Sequence, residues 1–558
     1  MNRGLIGYLQ DDDYFDVKIA LMKKSKTTLA SLFAAFPGYR NLLPDQNIEI
    51  NFIYSDSRKV QRGDLFVAFE GESSDGHDFI TNAVDAGAAA IVGDKQLDYE
   101  IPVPYILVEN SRKILAHLAA AYYGHPSRRM VLIGVTGTDG KTTTSNMIYW
   151  ILKYSGYNVG LISTVNAVIG DEILDTGFHV TTPDAMDVQA ILARMLELGI
   201  THVILETTSH GWAQYRVDAC EFDIGVVTNI THEHLDYHKT YENYLSAKAR
   251  LLLSLAHTIK KPFPVKRVAV LNRDDRSFEY LQKYVTTGQI SYGSTDTGAF
   301  SFSDLEYSEK GITFSLRHLG HNKKLQLPIF GDYNVYNSLA AVACVVEGLD
   351  IPISKAIEAL KDFPGIPGRM ELIDLGQNFL AFVDFAHTPN ALKAALETGR
   401  KIIDSRGISE EKSGSKLIAV FGSAGLRDRQ KRRMMAEVSA DLADITILTA
   451  EDPRTESLDA ILTEMVNAAI TRGAIMDKTV FSEPDRPESL HKAVMMAKKG
   501  DVVIACGKGH EQSMCFGTIE YPWDDRIALK SAIADRLGIP SDQPMPILPT
   551  SKERYEKS

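Results

Sequence analysis

The stretch MVLIGVTGTDGKTTTSNMIYWILKYSG, residues 130–156, joins an apolar run, a glycine-containing turn and an amphipathic helical pattern. The apolar run has the length and composition of a buried strand. A strand, a glycine-rich turn and a helix in this order provide the setting in which backbone N–H groups and a helix dipole bind phosphate. We therefore predict a phosphate-binding loop at residues 134–144, within a doubly wound and largely parallel α/β sheet.

This loop departs from the strict GxxxxGK[ST] pattern, because position 135 is Val135 and the glycines stand at 134 and 137. In such a loop Lys141 would reach the β- and γ-phosphates of ATP, and the Thr142 hydroxyl would bind Mg²⁺. An ordinary glycine turn before a helix is the alternative, and the loop alone does not separate kinase, ATPase, motor and ligase. The residues predicted to bind the nucleotide here are Gly137, Thr138, Gly140, Lys141, Thr142 and Thr143.

The length of 558 residues is too great for one hydrophobic core and indicates about three domains. Strand-like and helix-like segments alternate along most of the chain, which is typical of α/β domains. Gly- and Pro-rich segments near Ser127 and Gly365 mark the boundaries. We predict an N-terminal extension (1–30), a small α/β domain (31–127), a central doubly wound phosphate-loop domain (128–364) and a Rossmann-like C-terminal domain (365–558).

The composition limits the classes of partner. The hydrophobic fraction of 44% and the charged fraction of 24% are typical of a soluble globular protein. A net charge of −12 argues against nucleic acid or an anionic membrane as the main partner. The N-terminal segment does not resemble a signal peptide, and no apolar run approaches the ~20 residues of a membrane helix. The four cysteines show no metal-binding spacing and favour a reducing, cytoplasmic compartment.

Two further segments place chemically active residues after predicted strands. LETTSHGWAQYRV begins with Glu206 at the end of an apolar strand, where a carboxylate is suited to Mg²⁺; a helix-capping hydroxyl cluster with a solvated glutamate is the alternative. TNITHEHLDYHKTYENYLSAKARL carries His232, His234 and His238. That spacing is compatible with zinc, although no cysteine accompanies it, and unrelated surface histidines are a third interpretation.

Ten segments occur in the order found in one enzyme family: GTDGKTTT, HVTTPDA, ETTSHGWAQYRV, TNITHEHLDYH, GDYNVYNSLAA, GRME, VDFAHTPNAL, FGSAGLRDRQKR, EDPRTE and GKGHE. On these residues the chain resembles the Mur ligases over nearly its whole length after about residue 30. Within the family it is most similar to members that add the third amino acid to UDP-N-acetylmuramoyl-L-alanyl-D-glutamate. The resemblance implies a monomeric, ATP- and Mg²⁺-dependent ligase of peptidoglycan precursor synthesis, with small-molecule substrates and a UDP-binding first domain.

The resemblance also implies roles for individual residues. The catalytic set is Lys141, Glu206, His234 and Lys248, and the last three join Thr142 as metal ligands. The family carbamylates the lysine that Lys248 matches; an ordinary exposed helix lysine is the alternative. Further nucleotide contacts are implied for Asn334, Arg369, Asp384 and His387. Contacts to the UDP-muramoyl dipeptide are implied for Ser57, Thr181, Thr182, Thr208, Gln214 and Arg216, and contacts to the incoming amino acid for Arg427, Asp452, Arg454, Gly507 and Glu511.

Some of these positions have simpler interpretations. Ser57 belongs to a DSR segment that is also typical of a polar turn, and Asn334 and His387 could be structural. Arg427 is the third residue of GLRDRQKRR, a segment that is otherwise typical of a solvated basic helix start. Thr208 stands where the family usually has serine and keeps the hydroxyl.

The chemistry that the resemblance implies begins with attack of the D-glutamyl side-chain carboxylate on the γ-phosphate of ATP. The resulting acyl phosphate is then attacked by the amine of the incoming amino acid. Carboxylate and triphosphate repel each other, so Lys141 and two Mg²⁺ ions would offset the charge. A closing domain cleft would exclude water from the acyl phosphate.

The segment TAEDPRTES, residues 449–457, bears on the identity of the incoming amino acid. Family members that add diaminopimelate have D-N-P-R here, and their arginine pairs with the distal carboxylate. This chain keeps Arg454 but has Glu451 and Asp452 at the first two positions. Arg454 and Glu511 favour meso-diaminopimelate, whereas the Asp452 carboxylate suits the plain ammonium of lysine or ornithine. The more distant alternatives are a folylpolyglutamate synthase-like ligase, a phosphate-loop NTPase of other function and a catalytically silent relative.

Overall fold

The computed structural model describes residues 26–34, 36, 47–71, 74–175, 182–231, 235–294, 298–308, 310–406 and 414–551. Thr181 and His234, together with His232 and most of the predicted N-terminal extension, lie outside these residues. None of the described helices is long and apolar enough to cross a membrane.

The strands of the described residues are β1 (Thr27–Thr28), β2 (Glu49–Ile50), β3 (Ile53–Tyr54), β4 (Leu65–Val67), β5 (Ala90–Gly93), β6 (Tyr105–Leu107), β7 (Val131–Thr136), β8 (Val159–Ile162), β9 (Asn166–Ile169), β10 (Glu172–Asp175), β11 (His202–Glu206), β12 (Ile224–Val227), β13 (Val268–Asn272), β14 (Gly288–Gly293), β15 (Phe300–Ser308), β16 (Gly311–His318), β17 (His321–Leu327), β18 (Glu371–Leu372), β19 (Leu380–Asp384), β20 (Leu417–Phe421), β21 (Ile445–Leu448), β22 (Val480–Ser482), β23 (Val502–Cys506), β24 (Ser513–Phe516) and β25 (Ile519–Pro522).

The α-helices are α1 (Leu29–Leu32), α2 (Ile80–Asp85), α3 (Ser111–Tyr122), α4 (Lys141–Tyr154), α5 (Ala185–Glu197), α6 (Ser209–Ala213), α7 (Leu235–His238), α8 (Tyr241–His257), α9 (Phe278–Leu281), α10 (Tyr333–Leu349), α11 (Ile353–Lys361), α12 (Pro389–Arg406), α13 (Arg429–Leu442), α14 (Leu458–Thr471), α15 (Arg486–Met496) and α16 (Asp525–Leu537). Short 3₁₀ helices cover Ser57–Lys59, Gly76–Phe79, Pro126–Arg129 and Gln282–Tyr284.

The chain divides into two compact units. The first contains Met1–Ser301, Arg317–His321 and Tyr336–Leu360, and the second contains Phe302–Leu316, Asn322–Val335 and Lys361–Ser558. Each unit is described by itself below. The finer division at residues 30, 127 and 364 stays a prediction.

The small sheet of the first unit is fully parallel, with the order β3-β4-β5-β6. Its strands are short and apolar because helices cover the sheet, and β4 and β5 are buried along their whole length. Leu118 and Tyr122 of α3 join the core on one face, and Ala190 of α5 contributes to the same core. The α/β fold predicted for residues 31–127 is therefore confirmed for the described part of that range.

The large sheet of the first unit has the parallel order β8-β11-β7-β12-β13-β14, with β9 and β10 added antiparallel beyond β8. Every residue of β7 is buried, which explains its near-continuous apolar sequence. The strand β7 comes first in the chain but lies in the middle of the sheet. Later strands are therefore added on both sides of β7, and the direction in which the chain builds the sheet reverses there. Ligands of doubly wound folds bind outside the carboxyl ends of the strands at such a reversal.

The main sheet of the second unit has the order β18-β19-β23-β20-β21-β22, parallel except for β18. Separate hydrophobic clusters cover its two faces, one with α12, α13 and α14 and the other with α15 and α16. The strands predicted from FLAFVDFAH, LIAVFGS, DITILTA and DVVIACG correspond to β19, β20, β21 and β23. The polar-flanked β22 was not predicted, because three residues are too few to show a pattern.

Candidate active site

The phosphate loop lies between the end of β7 and the start of α4. Gly137 has φ 154°, and a Cβ there would lie 1.8 Å from Thr228 Oγ1. Gly140 has φ 80°, and a Cβ there would lie 2.2 Å from Asn337 Oδ1. Both positions therefore need glycine. Gly134, Val135 and Thr136 are buried residues of β7, so the loop predicted at 134–144 begins later, at Gly137.

The loop is fixed by the residues that follow β12. The N–H of Thr138 donates to the carbonyl of Asn229 over 2.7 Å, and the N–H of Asp139 donates to Asn229 Oδ1 over 3.0 Å. The Thr228 hydroxyl donates to the Asp139 carbonyl over 2.6 Å. The sequence pattern gave Asn229 no role; a Thr-Asn pair directly after an apolar strand was the available signal.

Two lysines approach loop carbonyls. Lys141 Nζ donates to the Thr138 carbonyl over 2.8 Å, and Lys248 Nζ donates to the Gly137 carbonyl over 2.6 Å. Lys248 is 2% exposed and lies 4.7 Å from the ring centroid of Tyr244. The interpretation of Lys248 as an ordinary exposed lysine is therefore wrong. Both predicted catalytic lysines lie at the loop.

Glu206 ends β11, in register with Val135 of the adjacent β7, and is 0% exposed. Both of its carboxylate oxygens lie 3.1 Å from the Thr142 hydroxyl. Thr164 donates its hydroxyl to one oxygen over 3.0 Å and its N–H to the other over 3.1 Å. The interpretation of Glu206 as a solvated glutamate is wrong. No ion pair joins this carboxylate to a basic residue in the described part of the chain, so its burial favours a bound cation.

The oxygen atoms around Glu206 suit one class of metal. Carboxylate and hydroxyl oxygens are hard ligands that Mg²⁺ accepts, and Mg²⁺ in nucleotide sites is commonly held by one or two protein ligands plus phosphates. Thr142, Thr164 and Glu206 therefore fit Mg²⁺. Among the described residues no three His, Cys, Asp or Glu side chains form a metal-binding group, and His232 and His234 of the alternative zinc site lie outside those residues.

Four residues predicted to bind the dipeptide substrate come together beside Glu206. The hydroxyls of Thr182 and Thr208 are 3.0 Å apart, and Thr208 Oγ1 also accepts the N–H of Gly211, which caps α6. Arg216 donates from Nε and Nη2 to Gln214 Oε1 over 3.0 and 2.7 Å, and from Nη1 to the Thr182 carbonyl over 2.7 Å. The helix-capping part of the alternative interpretation is thus correct for Thr208.

Ser57 lies after β3 in a short 3₁₀ helix of the small sheet. Asp56 caps this helix by accepting the N–H of Arg58, and the Arg58 guanidinium forms an ion pair with the same carboxylate. The segment therefore has the geometry of a polar turn. The role of Ser57 in binding stays a prediction.

In the second unit, Asp384 ends β19 and accepts the N–H groups of Met370 and Ala386 over 2.7 and 2.9 Å. Burial raises the pKa of Asp384, although the charge of Arg369 acts in the opposite direction. The Arg369 guanidinium lies 4.4 Å from the ring centroid of Phe385. These contacts fix the backbone after β19, and nucleotide binding by Arg369 and Asp384 stays a prediction.

Two other predicted nucleotide contacts lie in the same unit and bond to nearby backbone. His387 Nδ1 is 2.9 Å from the Phe385 carbonyl, and Asn334 Nδ2 donates to the Phe330 carbonyl over 2.6 Å. These hydrogen bonds agree with the structural alternative for both residues without testing a nucleotide contact.

Five charged residues follow the carboxyl ends of β21 and β23, and we call this set the paired-charge pocket: Glu451, Asp452, Arg454, Lys508 and Glu511. Asp452 accepts from Lys508 Nζ at 3.0 and 2.9 Å, and Lys508 Nζ lies 2.6 Å from Glu511 Oε2. Lys508 is 2% exposed. It belongs to the GKGHE segment, but no sequence pattern indicated that it would be buried against Asp452.

Glu451 is the most buried carboxylate of the paired-charge pocket. It is 6% exposed, and a Cβ on Gly507, which has φ 110°, would lie 2.1 Å from Glu451 Oε2. Burial raises the pKa of Glu451 to about 7. Its Oε2 has no hydrogen-bond partner among the described residues. The interpretation of TAEDPRTES as a solvated turn is therefore wrong for this part of the segment.

Arg454 is held in the pocket through its backbone. Its N–H donates to the Cys515 carbonyl over 3.1 Å, and its carbonyl accepts the N–H of Gly517 over 2.8 Å. Its Nε is buried and has no hydrogen-bond partner in the described part of the chain. Arg427, by contrast, is exposed in the loop before α13, and its contact with the amino acid stays a prediction.

Arg486 binds the backbone next to this pocket and had no sequence signal. It is 0% exposed and forms a bidentate pair with Asp525 over 2.7 and 2.6 Å. It also donates to the carbonyls of Ala450 and Cys506 over 3.0 and 2.9 Å. The ends of β21 and β23, and with them Glu451 and Gly507, are thereby fixed to one guanidinium.

A phosphate loop with a buried glutamate on one parallel sheet, and a paired-charge pocket on a second, indicate an α/β enzyme with a phosphate-binding site. Three family descriptions match the chain: "Mur ligase family, catalytic domain" over residues 49–123, "Mur ligase middle domain" over 135–345 and "Mur ligase, glutamate ligase domain" over 368–509. The chain belongs to the Mur ligase family, whose members are ATP-dependent ligases.

Individual relatives match nearly the whole chain. A Bacillus cereus protein named UDP-N-acetylmuramoyl-L-alanyl-D-glutamate--2,6-diaminopimelate ligase is 38% identical, covering 91% of this chain and 98% of that protein. A Roseiflexus UDP-N-acetylmuramyl-tripeptide synthetase is 39% identical, covering 88% and 96%. A solved UDP-N-acetylmuramoyl-L-alanyl-D-glutamate--2,6-diaminopimelate ligase matches with a TM-score of 0.63 and 28% identity, covering 89% of this chain and 99% of that one.

Proposed function

We propose that this protein joins meso-diaminopimelate to UDP-N-acetylmuramoyl-L-alanyl-D-glutamate, with conversion of ATP to ADP and phosphate, as a cytoplasmic and monomeric enzyme of peptidoglycan precursor synthesis. The observation that carries the proposal is the convergence of Lys141, Thr142, Glu206 and Lys248 on one phosphate loop. The names of the Bacillus cereus relative and the solved structure support the choice of substrates. The proposal includes a UDP-binding domain at 31–127, an ATP-binding domain at 128–364 and an amino-acid-binding domain at 365–558.

Thr142 and Glu206 would hold Mg²⁺, which in this reaction offsets the negative charge of the ATP phosphates. His234 and a carbamate on Lys248 complete the proposed set of metal ligands. Carbamylation would replace the ammonium that now donates to the Gly137 carbonyl with an anion.

The first step requires a carboxylate to approach a triphosphate. The N–H groups at the start of α4 and the Lys141 ammonium face the phosphate loop and bind phosphate oxygens. Thr182, Thr208, Gln214 and Arg216 form the adjoining polar surface that positions the dipeptide. The D-glutamyl side-chain carboxylate then attacks the γ-phosphorus, and the bond to the bridging oxygen breaks to release ADP and leave an acyl phosphate.

The second step requires an amine next to the acyl phosphate. The paired-charge pocket binds the distal end of the incoming amino acid, Arg454 through a distal carboxylate and Glu511 through an ammonium. The free amine attacks the acyl carbon, and the tetrahedral intermediate expels phosphate with the bonding electrons. A proton leaves the amine nitrogen as the amide forms.

The test measures ADP release with UDP-N-acetylmuramoyl-L-alanyl-D-glutamate and each of meso-diaminopimelate, L-lysine and L-ornithine, and without each component. We expect release that requires both substrates and is fastest with meso-diaminopimelate. If ADP release is fastest with lysine or ornithine, that amino acid replaces meso-diaminopimelate in the proposal. The Asp452 carboxylate makes this comparison necessary, because it suits the plain ammonium of lysine or ornithine. Release independent of the dipeptide would instead favour the phosphate-loop NTPase and contradict the proposal.

A further inference from the structure

A buried ammonium separates two carboxylates in the paired-charge pocket. Lys508 Nζ lies 3.0 and 2.9 Å from the two oxygens of Asp452 and 2.6 Å from Glu511 Oε2. Burial acts to lower the pKa of Lys508, but the Glu511 and Asp452 carboxylates outweigh it and raise that pKa. Lys508 therefore stays charged, and in a site screened from water its charge acts strongly on both partners.

The backbone conformation of Asp452 and a hydrogen bond from a neighbouring strand fix the position of its carboxylate next to Lys508. Asp452 has φ 40°, which is uncommon for a residue with a side chain, and its carbonyl accepts the N–H of Gly425 over 2.9 Å. Its Oδ1 also accepts the N–H of Cys515 over 2.9 Å. With three hydrogen bonds satisfied inside the protein, this carboxylate is poorly placed to bind the ammonium of a ligand.

Below about pH 7, where Glu451 is protonated because burial raises its pKa to about 7, the formal charges of the pocket balance. Asp452 and Glu511 are negative, whereas Lys508 and Arg454 are positive. The distal end of a ligand that carries both an ammonium and a carboxylate is also neutral and matches such a pocket. Without the Lys508 ammonium the pocket would carry an excess negative charge, which would repel a distal carboxylate and favour a ligand ending in a plain ammonium.

We propose that Lys508 is a positioning residue that sets the amino-acid preference of this ligase by neutralising Asp452. With Asp452 neutralised, Arg454 can bind a distal carboxylate despite the Asp452 carboxylate two residues away. This inference rests on the proposed function. It assigns the preference for meso-diaminopimelate to the pairing of Lys508 with Asp452.

The test is a double-mutant cycle on K508M, D452N and the combined D452N/K508M variant. K499M serves as the matched control, because Lys499 is an exposed lysine of the same unit. For each protein, kcat/KM is measured with meso-diaminopimelate and with L-lysine at saturating ATP and dipeptide. The readout is the ratio of the two values, which a uniform loss of structure does not change.

We expect K508M to lower this ratio about 30-fold, mainly through the KM for meso-diaminopimelate, because the half-buried Asp452 carboxylate is left without its ammonium partner. D452N/K508M should restore the ratio to within about 5-fold of the unsubstituted enzyme, since its pocket is again neutral. D452N should keep or raise the ratio, and K499M should not change it.

Equal losses with both amino acids in K508M, together with no recovery in the combined variant, would overturn the inference and leave Lys508 a structural role. If K508M does not fold, the combined variant decides alone: a ratio near that of the unsubstituted enzyme is expected, and a collapsed ratio contradicts the inference. If the unsubstituted enzyme releases no ADP that depends on dipeptide and amino acid, the proposed function fails instead.

Discussion

The phosphate loop and the paired-charge pocket hold their polar groups in different ways. At the loop, Glu206 is surrounded by hydroxyls and an N–H group, and the two lysines donate to backbone carbonyls. In the pocket, Lys508 already pairs with Asp452 and Glu511. The charges at the loop are therefore left for a ligand and a metal ion to neutralise, whereas most charges in the pocket are neutralised by other side chains of the pocket. We therefore expect the cations of the phosphate loop to be required for every turnover. The paired charges of the pocket should instead determine which amino acid the enzyme prefers.

Removal of a loop cation should have the largest effect. We expect Lys141→Ala to lower kcat/KM for ligation by at least about 1000-fold, because its ammonium offsets phosphate charge in the transition state. The protein should stay folded, since among the described residues the Lys141 ammonium donates a hydrogen bond to one loop carbonyl. Steady-state ADP release measures the effect, and Lys153→Ala, an exposed lysine on the same helix, is the control. Near-normal ADP release by Lys141→Ala would contradict a role of the phosphate loop in the reaction.

Substitution of Lys248, the second lysine that contacts the loop, distinguishes a role of its ammonium from a role of a carbamate. Lys248→Ala should lower ligation by at least about 100-fold, with partial recovery on addition of formate or acetate if the carbamate is required. Thermal unfolding of the variant is measured alongside, because Lys248 is buried. Full activity in Lys248→Ala would exclude the residue from the mechanism, and an inactive but folded variant without rescue would argue against the carbamate.

Much of this arrangement was predictable because it follows local rules. A strand buried on both faces gives an apolar run, and a glycine turn that leads into a helix is visible in the chain itself; Lys141, Thr142 and Glu206 were found in this way. Buried charges were not predictable, because each depends on a distant partner. Arg486 pairs with Asp525, and Lys508 with Asp452. No local pattern distinguishes these residues from solvated ones.

The pocket should respond to substitution by a change in preference more than by a loss of all activity. Arg454→Ala should lower kcat/KM about 50-fold more for meso-diaminopimelate than for L-lysine, because only the former offers a second carboxylate to the guanidinium. Steady-state kinetics with both amino acids measure the difference. Equal losses for the two would contradict the role of Arg454 in binding a distal carboxylate.

At Glu451 the expected effect is on stability rather than on activity. Burial raises its pKa from the usual 4.5 to about 7, so the folded protein holds a proton that the unfolded chain releases between these values. Through Glu451, stability therefore falls as pH rises across that window. Glu451→Gln should remove this loss and gain up to about 3 kcal/mol in unfolding free energy, relative to the unsubstituted protein, between about pH 5 and pH 8.

Denaturant unfolding at the two pH values measures the effect, with Glu397→Gln, an exposed glutamate of the same unit, as the control. A difference between Glu451→Gln and the unsubstituted protein that does not vary with pH would show that Glu451 is not held protonated in the pocket.

The central claim is that a substrate carboxylate is activated as an acyl phosphate at the phosphate loop. Its most direct test uses UDP-N-acetylmuramoyl-L-alanyl-D-glutamate with ¹⁸O in the D-glutamyl side-chain carboxylate, and mass spectrometry of the phosphate released during ligation. Transfer of that oxygen to phosphorus predicts one ¹⁸O in the phosphate for each amide formed from fully labelled substrate. Release of unlabelled phosphate during amide formation would contradict the claim.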